Sequence, residues 1–178
     1  GPPMVVTGIS VPAGGNALLV YQTRTNDYAP RALEASIVNN ASITGGALPA
    51  AVTATATINA ASDPCLSINK ALAPASVPQN GQITYTFLIE NYGNRAAEAT
   101  DAAVVTDVFS PILQDISVSY NGTAWTAGTD YTYDAATGQF ATVAGKVTVP
   151  AATYTQDPTT GVWTTTPGAS TLTVTGTL

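Results

Sequence analysis

Short runs that alternate apolar and polar residues recur along this chain, and Gly, Pro or Asn separates each run from the next. A period of two sends successive side chains to opposite faces of a strand, so these runs predict β-strands. The turn residues recur about every 8 to 12 residues, which is the spacing of an antiparallel sandwich. The one helix-like stretch, residues 28–35, contains Pro30 and predicts a single turn at most. We therefore predict an all-β protein with an immunoglobulin-like antiparallel β-sandwich.

The sequence near the N-terminus is repeated near the C-terminus. Residues 5–14 are repeated by residues 145–152, and the strand pattern of residues 17–24 is repeated by that of residues 171–178. Two further strand-like runs follow the first copy, whereas the sequence ends after the second. We therefore expect the two ends of the chain to be two parts of one interrupted repeat, with strands that a neighbouring subunit can complete.

A linker over residues 59–64 divides the chain into two pieces. The N-terminal piece, residues 1–62, contains the two further runs, 36–44 and 52–58. We expect it to supply the closing strands of an immunoglobulin-like repeat. The C-terminal piece, residues 63–178, has the strand and turn signals of a sandwich repeat that lacks its last strands.

Composition and charge exclude several classes of function. The 178 residues are 45% hydrophobic and 9% charged, with a net charge of −6, five basic residues and no His. Such a chain offers no basic surface for nucleic acid, and no apolar run approaches the ~18 residues that cross a membrane. Without His, and with Cys65 as the one cysteine, it lacks the usual general base, disulfide framework and zinc ligands. We expect no enzyme acting on a diffusible substrate, no cofactor and no metal.

Several motifs resemble a known family of surface domains. The resemblance is to the conserved-repeat domain of unknown function that is found in bacterial surface proteins. The opening half of that domain resembles residues 66–70, 81–87, 90–94 and 105–107. Residues 37–44 resemble the closing motif of that family, so the order is permuted. The resemblance implies an immunoglobulin-like sandwich in an extracellular protein of a bacterial cell or spore surface, and it implies no enzymatic activity. Gly1 and Pro2 either follow a removed leader or remain from an expression tag.

Related pilin and adhesin domains, including the CnaB type, often contain a Lys–Asn isopeptide bond, and three residues are candidates for one. The strand period places each on a mainly aliphatic face. These groupings are Lys70 with Leu66 and Ile68, Asn39 with Ile37, Ala41 and Ile43, and Asp107 with Ala103, Val105 and Phe109. We therefore expect all three polar side chains to point inward.

Burial favours the neutral forms of an amine and a carboxylic acid. A neutral Lys70 amine would attack the Asn39 carboxamide, while a protonated Asp107 would polarise the carbonyl and transfer protons as ammonia leaves. Glu90 is the alternative acid, and Asn40 is the alternative acceptor if the strand has a bulge. The simpler interpretation is an ion pair between Lys70 and Asp107 without further chemistry.

The interrupted repeat predicts a structural subunit of an extracellular fibre, pilus or surface appendage. Closing strands from one copy would complete the sandwich of the next, and unlike contact surfaces would produce a head-to-tail homopolymer. The alternative is an excised repeat of a stalk or an adhesin that binds a host or matrix ligand. Trp125 and Trp163 would then contact the ligand, although such aromatic residues usually pack across strands.

Three aspartates, Asp130, Asp134 and Asp157, lie in turn regions. Carboxylates at such positions either bind calcium or cap Asx turns. Their spacing matches no calcium loop, which favours turn capping.

Overall fold

The computed structural model describes residues 3–46 and 48–178. Within them lie twelve strands and one short 3-10 helix, Ala99–Asp101, so the prediction of an all-β protein is confirmed. The strands are β1 (Ser36–Ile43), β2 (Val52–Asn59), β3 (Leu66–Ala73), β4 (Gln82–Asn91), β5 (Thr106–Val108), β6 (Gln114–Tyr120), β7 (Thr123–Trp125), β8 (Tyr131–Asp134), β9 (Gln139–Thr142), β10 (Thr153–Gln156), β11 (Trp163–Thr166) and β12 (Gly168–Thr177).

Two antiparallel sheets pack together as a β-sandwich. One sheet has five strands in the order β3-β4-β12-β6-β7, and the other has three in the order β5-β9-β8. Each of two further hairpins, β1–β2 and β10–β11, forms a sheet of its own. The hairpin β1–β2 spans the two strand-like runs predicted in the N-terminal piece, and its strands pair over their whole length.

The core lies between the two sheets, and its pattern follows the strand period. In β4 the alternate residues Ile83, Tyr85, Phe87 and Ile89 are buried. Strand β12 lies at the centre of the five-stranded sheet, between β4 and β6, and its Leu172 and Val174 are fully buried. The three-stranded sheet and its flanking loops contribute Phe109, Tyr131 and Phe140, among others, to this core. The alternation in the sequence therefore identifies the core-facing residues of β4 and β12.

The strand predicted over residues 17–24 is wrong, although its copy near the C-terminus is strand β12. Residues 17–24 are exposed and belong to no strand. The reason is the lack of a partner, since a strand needs a neighbour to satisfy its backbone N–H and C=O groups. Residues 28–35 form turns and bends and no helix.

Candidate functional site

The sandwich is open along one side, between strands β3 and β5. Strand β3 is the last strand of the five-stranded sheet, and β5 is the last strand of the three-stranded sheet and pairs with β9 alone. The inward face of β3 is uncovered: Leu66 is 42% exposed, Ile68 51% and Leu72 48%. We call this opening the groove. It is lined by Leu66, Ser67, Ile68, Ile89, Ala103, Val104, Val105, Thr106 and Val147.

Strands β3 and β5 run in the same direction across the groove. At one end, Leu66 and Ile68 line the groove together with residues 103–106. Towards the other end, Tyr85 pairs with Leu72 across β3 and β4, and its ring centroid lies 4.9 Å from that of Phe109. The N-terminal ends of β3 and β5 therefore lie near one another, as do their C-terminal ends.

Lys70 and Asp107 contact each other across the groove. The Lys70 amine donates to Asp107 Oδ2 and lies over three aromatic rings, with centroids 4.5 Å away for Tyr85, 5.3 Å for Phe109 and 5.5 Å for Phe87. The strand period places Lys70 inward because its register partner on β4, Phe87, is buried. The Lys70 side chain is 39% exposed and that of Asp107 is 18% exposed. One charged pair thus bridges β3 and β5 beside the largely apolar lining of the groove, and that pair is still partly open to water.

The hairpin β1–β2 has one apolar face and one polar face. Register pairs Asn39 with Ala56, and the strand period puts Ile37, Ala41, Ile43, Val52, Ala54 and Ile58 on the same face as these two. The opposite face consists of Ser36, Val38, Asn40, Ser42, Thr53, Thr55, Thr57 and Asn59. Apart from Ile37, which is half-buried, every residue of the two strands is exposed. An amphipathic hairpin therefore leaves its apolar face in water, with Asn39 as the one polar residue on that face.

Asn39 does not meet Lys70 within this chain. Strand β1 pairs with β2 in a sheet separate from both sheets of the sandwich, and Asn39 Nδ2 donates to the Tyr21 hydroxyl at 2.7 Å. The face of β1 that contains Asn39 is exposed in the single chain, so the meeting of Asn39 with Lys70 of a neighbouring copy stays a prediction. The alternative acceptor, Asn40, lies on the polar face and accepts a hydrogen bond from Thr55 Oγ1 at 2.8 Å. The register of β1 and β2 is unbroken, so no bulge turns Asn40 to the other face.

Glu90, the alternative acid, lies away from Lys70. Its register partner on β3 is Ser67, three residues from Lys70, and its face of β4 is opposite that of the buried Ile89. The Tyr92 hydroxyl donates to Glu90 at 3.4 Å, and the charge of Glu90 raises the pKa of Tyr92. The structure therefore places Asp107, and not Glu90, beside the amine.

Asn91 and Asn94 fix the linker to the sandwich. Asn91 is fully buried and makes four hydrogen bonds: its Oδ1 accepts from the N–H groups of Cys65 and Gly93, and its Nδ2 donates to the carbonyls of Arg95 and Pro150. Asn94 donates to the Ala61 carbonyl at 2.7 Å and accepts from the N–H of Asp63 at 3.3 Å. The sequence pattern marks this stretch as a turn and does not single out these two side chains, since burial of a turn residue depends on what packs over it.

The three turn aspartates cap turns in the structure. Asp134 accepts from the N–H of Ala136 at 2.8 Å, and Asp157 accepts from those of Thr159 and Thr160 at 2.7 and 2.9 Å. These backbone hydrogen bonds hold the pKa of Asp134 and of Asp157 below the usual value. Asp130 bonds Lys146 and the N–H of Thr126. Across residues 3–46 and 48–178, no three His, Cys, Asp or Glu side chains form a group that could hold a metal ion.

Trp125 is half-buried against the core. Its ring stacks on that of Tyr120 with centroids 4.8 Å apart, and it borders the core. This is the cross-strand packing that aromatic residues in alternating strands usually make. Trp163 is half-buried at the start of β11. The two side chains therefore do not form an open aromatic face.

Comparison of the chain with protein-family models, with curated proteins and with solved structures found no match. The part of the chain that the structure describes contains no helix long and apolar enough to cross a membrane. The resemblance to the conserved-repeat domain therefore stays a prediction from sequence motifs. The groove and the hairpin are the features of the chain that bear on its function.

Proposed function

We propose that the chain is a structural subunit of an extracellular bacterial fibre, pilus or surface appendage, assembled head to tail by β-strand complementation. The hairpin β1–β2 of one copy enters the groove of the next copy. The observation that carries this proposal is that a five-stranded sheet faces a three-stranded sheet while a two-stranded hairpin lies outside the sandwich. Adding the hairpin to the free edge of β5 gives two sheets of equal size.

The apolar surfaces of the hairpin and the groove favour this contact. Ile43, Val52 and Ile58 of the hairpin are 66%, 57% and 68% exposed. Full burial of such a side chain contributes about 1.5–3 kcal/mol, so each half-exposed aliphatic residue on either surface has about 1 kcal/mol still to contribute. Backbone pairing along β5 adds the hydrogen bonds that its free edge lacks. The donor and acceptor surfaces differ, so the contact is heterologous and its repetition forms a filament.

A covalent cross-link at the junction is the second part of the proposal. The Lys70 amine attacks the Asn39 carboxamide carbon, an amide forms, and the Asn39 nitrogen leaves as ammonia. Asp107 is placed to relay the proton from the amine to the leaving nitrogen. The inserted hairpin would cover the charged pair, and loss of water favours the neutral amine and acid that the reaction needs. The chemistry is therefore coupled to assembly.

A concentration series followed by light scattering and electron microscopy tests the assembly. We expect polymers whose length grows with protein concentration, because each junction is bimolecular. A chain that stays monomeric at high concentration contradicts the proposal and favours an isolated stalk repeat or an adhesin domain.

Gel electrophoresis after boiling in detergent, together with intact mass measurement, tests the cross-link. We expect a ladder in which every junction has lost one ammonia. We expect the ladder to be lost in Lys70→Ala, Asp107→Ala and Asn39→Ala. The controls change the alternative residues, and we expect the ladder to persist in Glu90→Gln and Asn40→Ala. Masses that equal the sum of unmodified chains contradict the cross-link and leave strand complementation intact.

A further inference from the structure

We infer that the hairpin has one orientation in the groove, with β1 antiparallel to β5 and Asn39 opposite Asp107, and that a chain cannot fill its own groove in this way. This inference rests on the proposed function and specifies its junction. The occupant is the hairpin of a second copy of the chain.

The polar residues of the two surfaces select β1 as the strand next to β5. The apolar face of the hairpin has one polar residue, Asn39, and the inward faces of β3 and β5 have one charged pair, Lys70 with Asp107. Burying a polar group without a partner costs about 1–3 kcal/mol. Residues directly opposite each other on neighbouring strands lie about 5 Å apart. The other strand of the inserted hairpin would lie about 5 Å further from β5. Only with β1 next to β5 does Asn39 lie directly opposite Asp107.

The outward faces select the antiparallel direction. Val38 is the one apolar residue on the polar face of the hairpin, and it is 53% exposed. Placing Asn39 opposite Asp107 in antiparallel register puts Val38 opposite Val108, which is 61% exposed, and Asn40 opposite Thr106. The parallel register would place Val38 opposite Thr106 and Asn40 opposite Val108. Over the three residues of β5, the antiparallel register therefore matches apolar with apolar and polar with polar.

The linker keeps a chain's own hairpin out of this position. Because β5 runs in the direction of β3, a β1 strand antiparallel to β5 makes β2 parallel to β3. Asn59, the end of β2, would then lie near Ala73, about 23 Å along β3 from Leu66. Hydrogen bonds from Asn91 and Asn94 fix residues 61–65 beside Leu66. The two residue steps from Ala61 to Asn59 span only about 7 Å. The linker is therefore too short to place Asn59 near Ala73 of the same chain.

Paired cysteines in a Cys65→Ala background test the orientation, because opposed residues of neighbouring strands lie within disulfide reach. We expect Val38→Cys with Val108→Cys to form disulfides between chains. The competing orientation, with β2 next to β5 and Ala56 in the place of Asn39, predicts disulfides for Thr55→Cys with Val108→Cys. Ser42→Cys with Val108→Cys is the matched control, because Ser42 shares the face of Val38 but lies four residues along the strand. Ladders that collapse on reduction distinguish disulfides from amide cross-links.

Mixing two single variants, Val38→Cys and Val108→Cys, tests whether the hairpin comes from another copy. We expect a disulfide-linked dimer containing one chain of each variant. A disulfide within one chain of the Val38→Cys Val108→Cys double variant overturns the second-copy inference. Interchain disulfides from the Thr55 pair in place of the Val38 pair overturn the orientation while fibre formation stands. Wild-type protein that remains monomeric overturns the proposed function and this inference together.

Discussion

At the scale of single residues, hydrogen bonding and ion pairing hold the end of the sandwich from which the hairpin emerges. Asn91 satisfies two N–H groups and two carbonyls from four different residues. Arg95, nearby, makes two hydrogen bonds with Asp101, at 2.9 and 2.7 Å. These contacts order the linker and the β4–β5 connection, so they determine where the hairpin is held relative to the groove.

Asn91→Asp should destabilise the protein strongly. A carboxylate still accepts from Cys65 and Gly93, but it cannot donate to the carbonyls of Arg95 and Pro150, which then face a buried negative charge. Each unsatisfied buried group costs about 1–3 kcal/mol, so for two carbonyls we expect the free energy of unfolding to fall by about 2–6 kcal/mol in urea denaturation. Asn69→Asp, on the exposed face of β3, is the control and should change it by less than about 0.5 kcal/mol. Equal losses in the two variants would contradict the anchoring role.

The Arg95–Asp101 pair should make stability depend on pH at the acid end. The Arg95 guanidinium, with the Glu98 N–H, lowers the pKa of Asp101 to about 2. A lowered folded-state pKa means that this stabilisation is present above the ordinary carboxyl value and is lost as the pH falls from about 4 towards 2. We expect an NMR titration to give a pKa of about 2 for Asp101 in the wild type. Arg95→Met should raise it towards the ordinary value, and an unchanged pKa would show that the backbone hydrogen bond alone is responsible.

At the scale of elements, the strand period predicts which faces are apolar but not which faces find a partner. The same alternation places Lys70 and Asp107 towards the groove, where they meet, and Asn39 on the apolar face of a hairpin that stays largely exposed. Residues 17–24 and β12 share a sequence pattern, yet β12 lies between two strands and residues 17–24 pair with none. Pairing is a tertiary property, so the local pattern cannot predict it. The burial of Asn91 escapes prediction for the same reason.

Opposite faces of β1 should respond differently to a charge. Ala41 lies on the apolar face and Ser42 on the polar face, and both are exposed in the isolated chain. Ala41→Asp would carry an unpaired carboxylate into the groove, which is costly, so we expect at least a tenfold weaker assembly in sedimentation assays. Ser42→Asp should assemble as the wild type does. Thermal unfolding of the monomers should be alike for both variants, which separates an effect on the junction from an effect on the fold. Equal assembly of the two variants would contradict insertion of the apolar face.

At the scale of the whole molecule, the proposed assembly assigns the chain one donor and one acceptor, on different elements. The donor is the hairpin β1–β2, and the acceptor is the groove between β3 and β5. Such an arrangement makes a polar filament in which each copy has two neighbours, and it leaves one unfilled groove and one free hairpin at the two ends. Growth therefore needs both surfaces on every internal subunit.

Separating the two surfaces onto different variants should stop growth at a dimer. Ala41→Asp impairs the donor, and Ile68→Asp places a charge on the inward face of β3 and impairs the acceptor. Neither variant alone has both functional surfaces, so we expect each to remain monomeric. A mixture contains one intact groove and one intact hairpin per pair, and light scattering should show a dimer with one chain of each kind, because the remaining surfaces are both impaired.

Added to wild-type protein, Ile68→Asp chains should shorten the fibres by capping the end with a free groove. Dimers formed by either variant alone would show that the contact is symmetric, which a head-to-tail fibre does not allow.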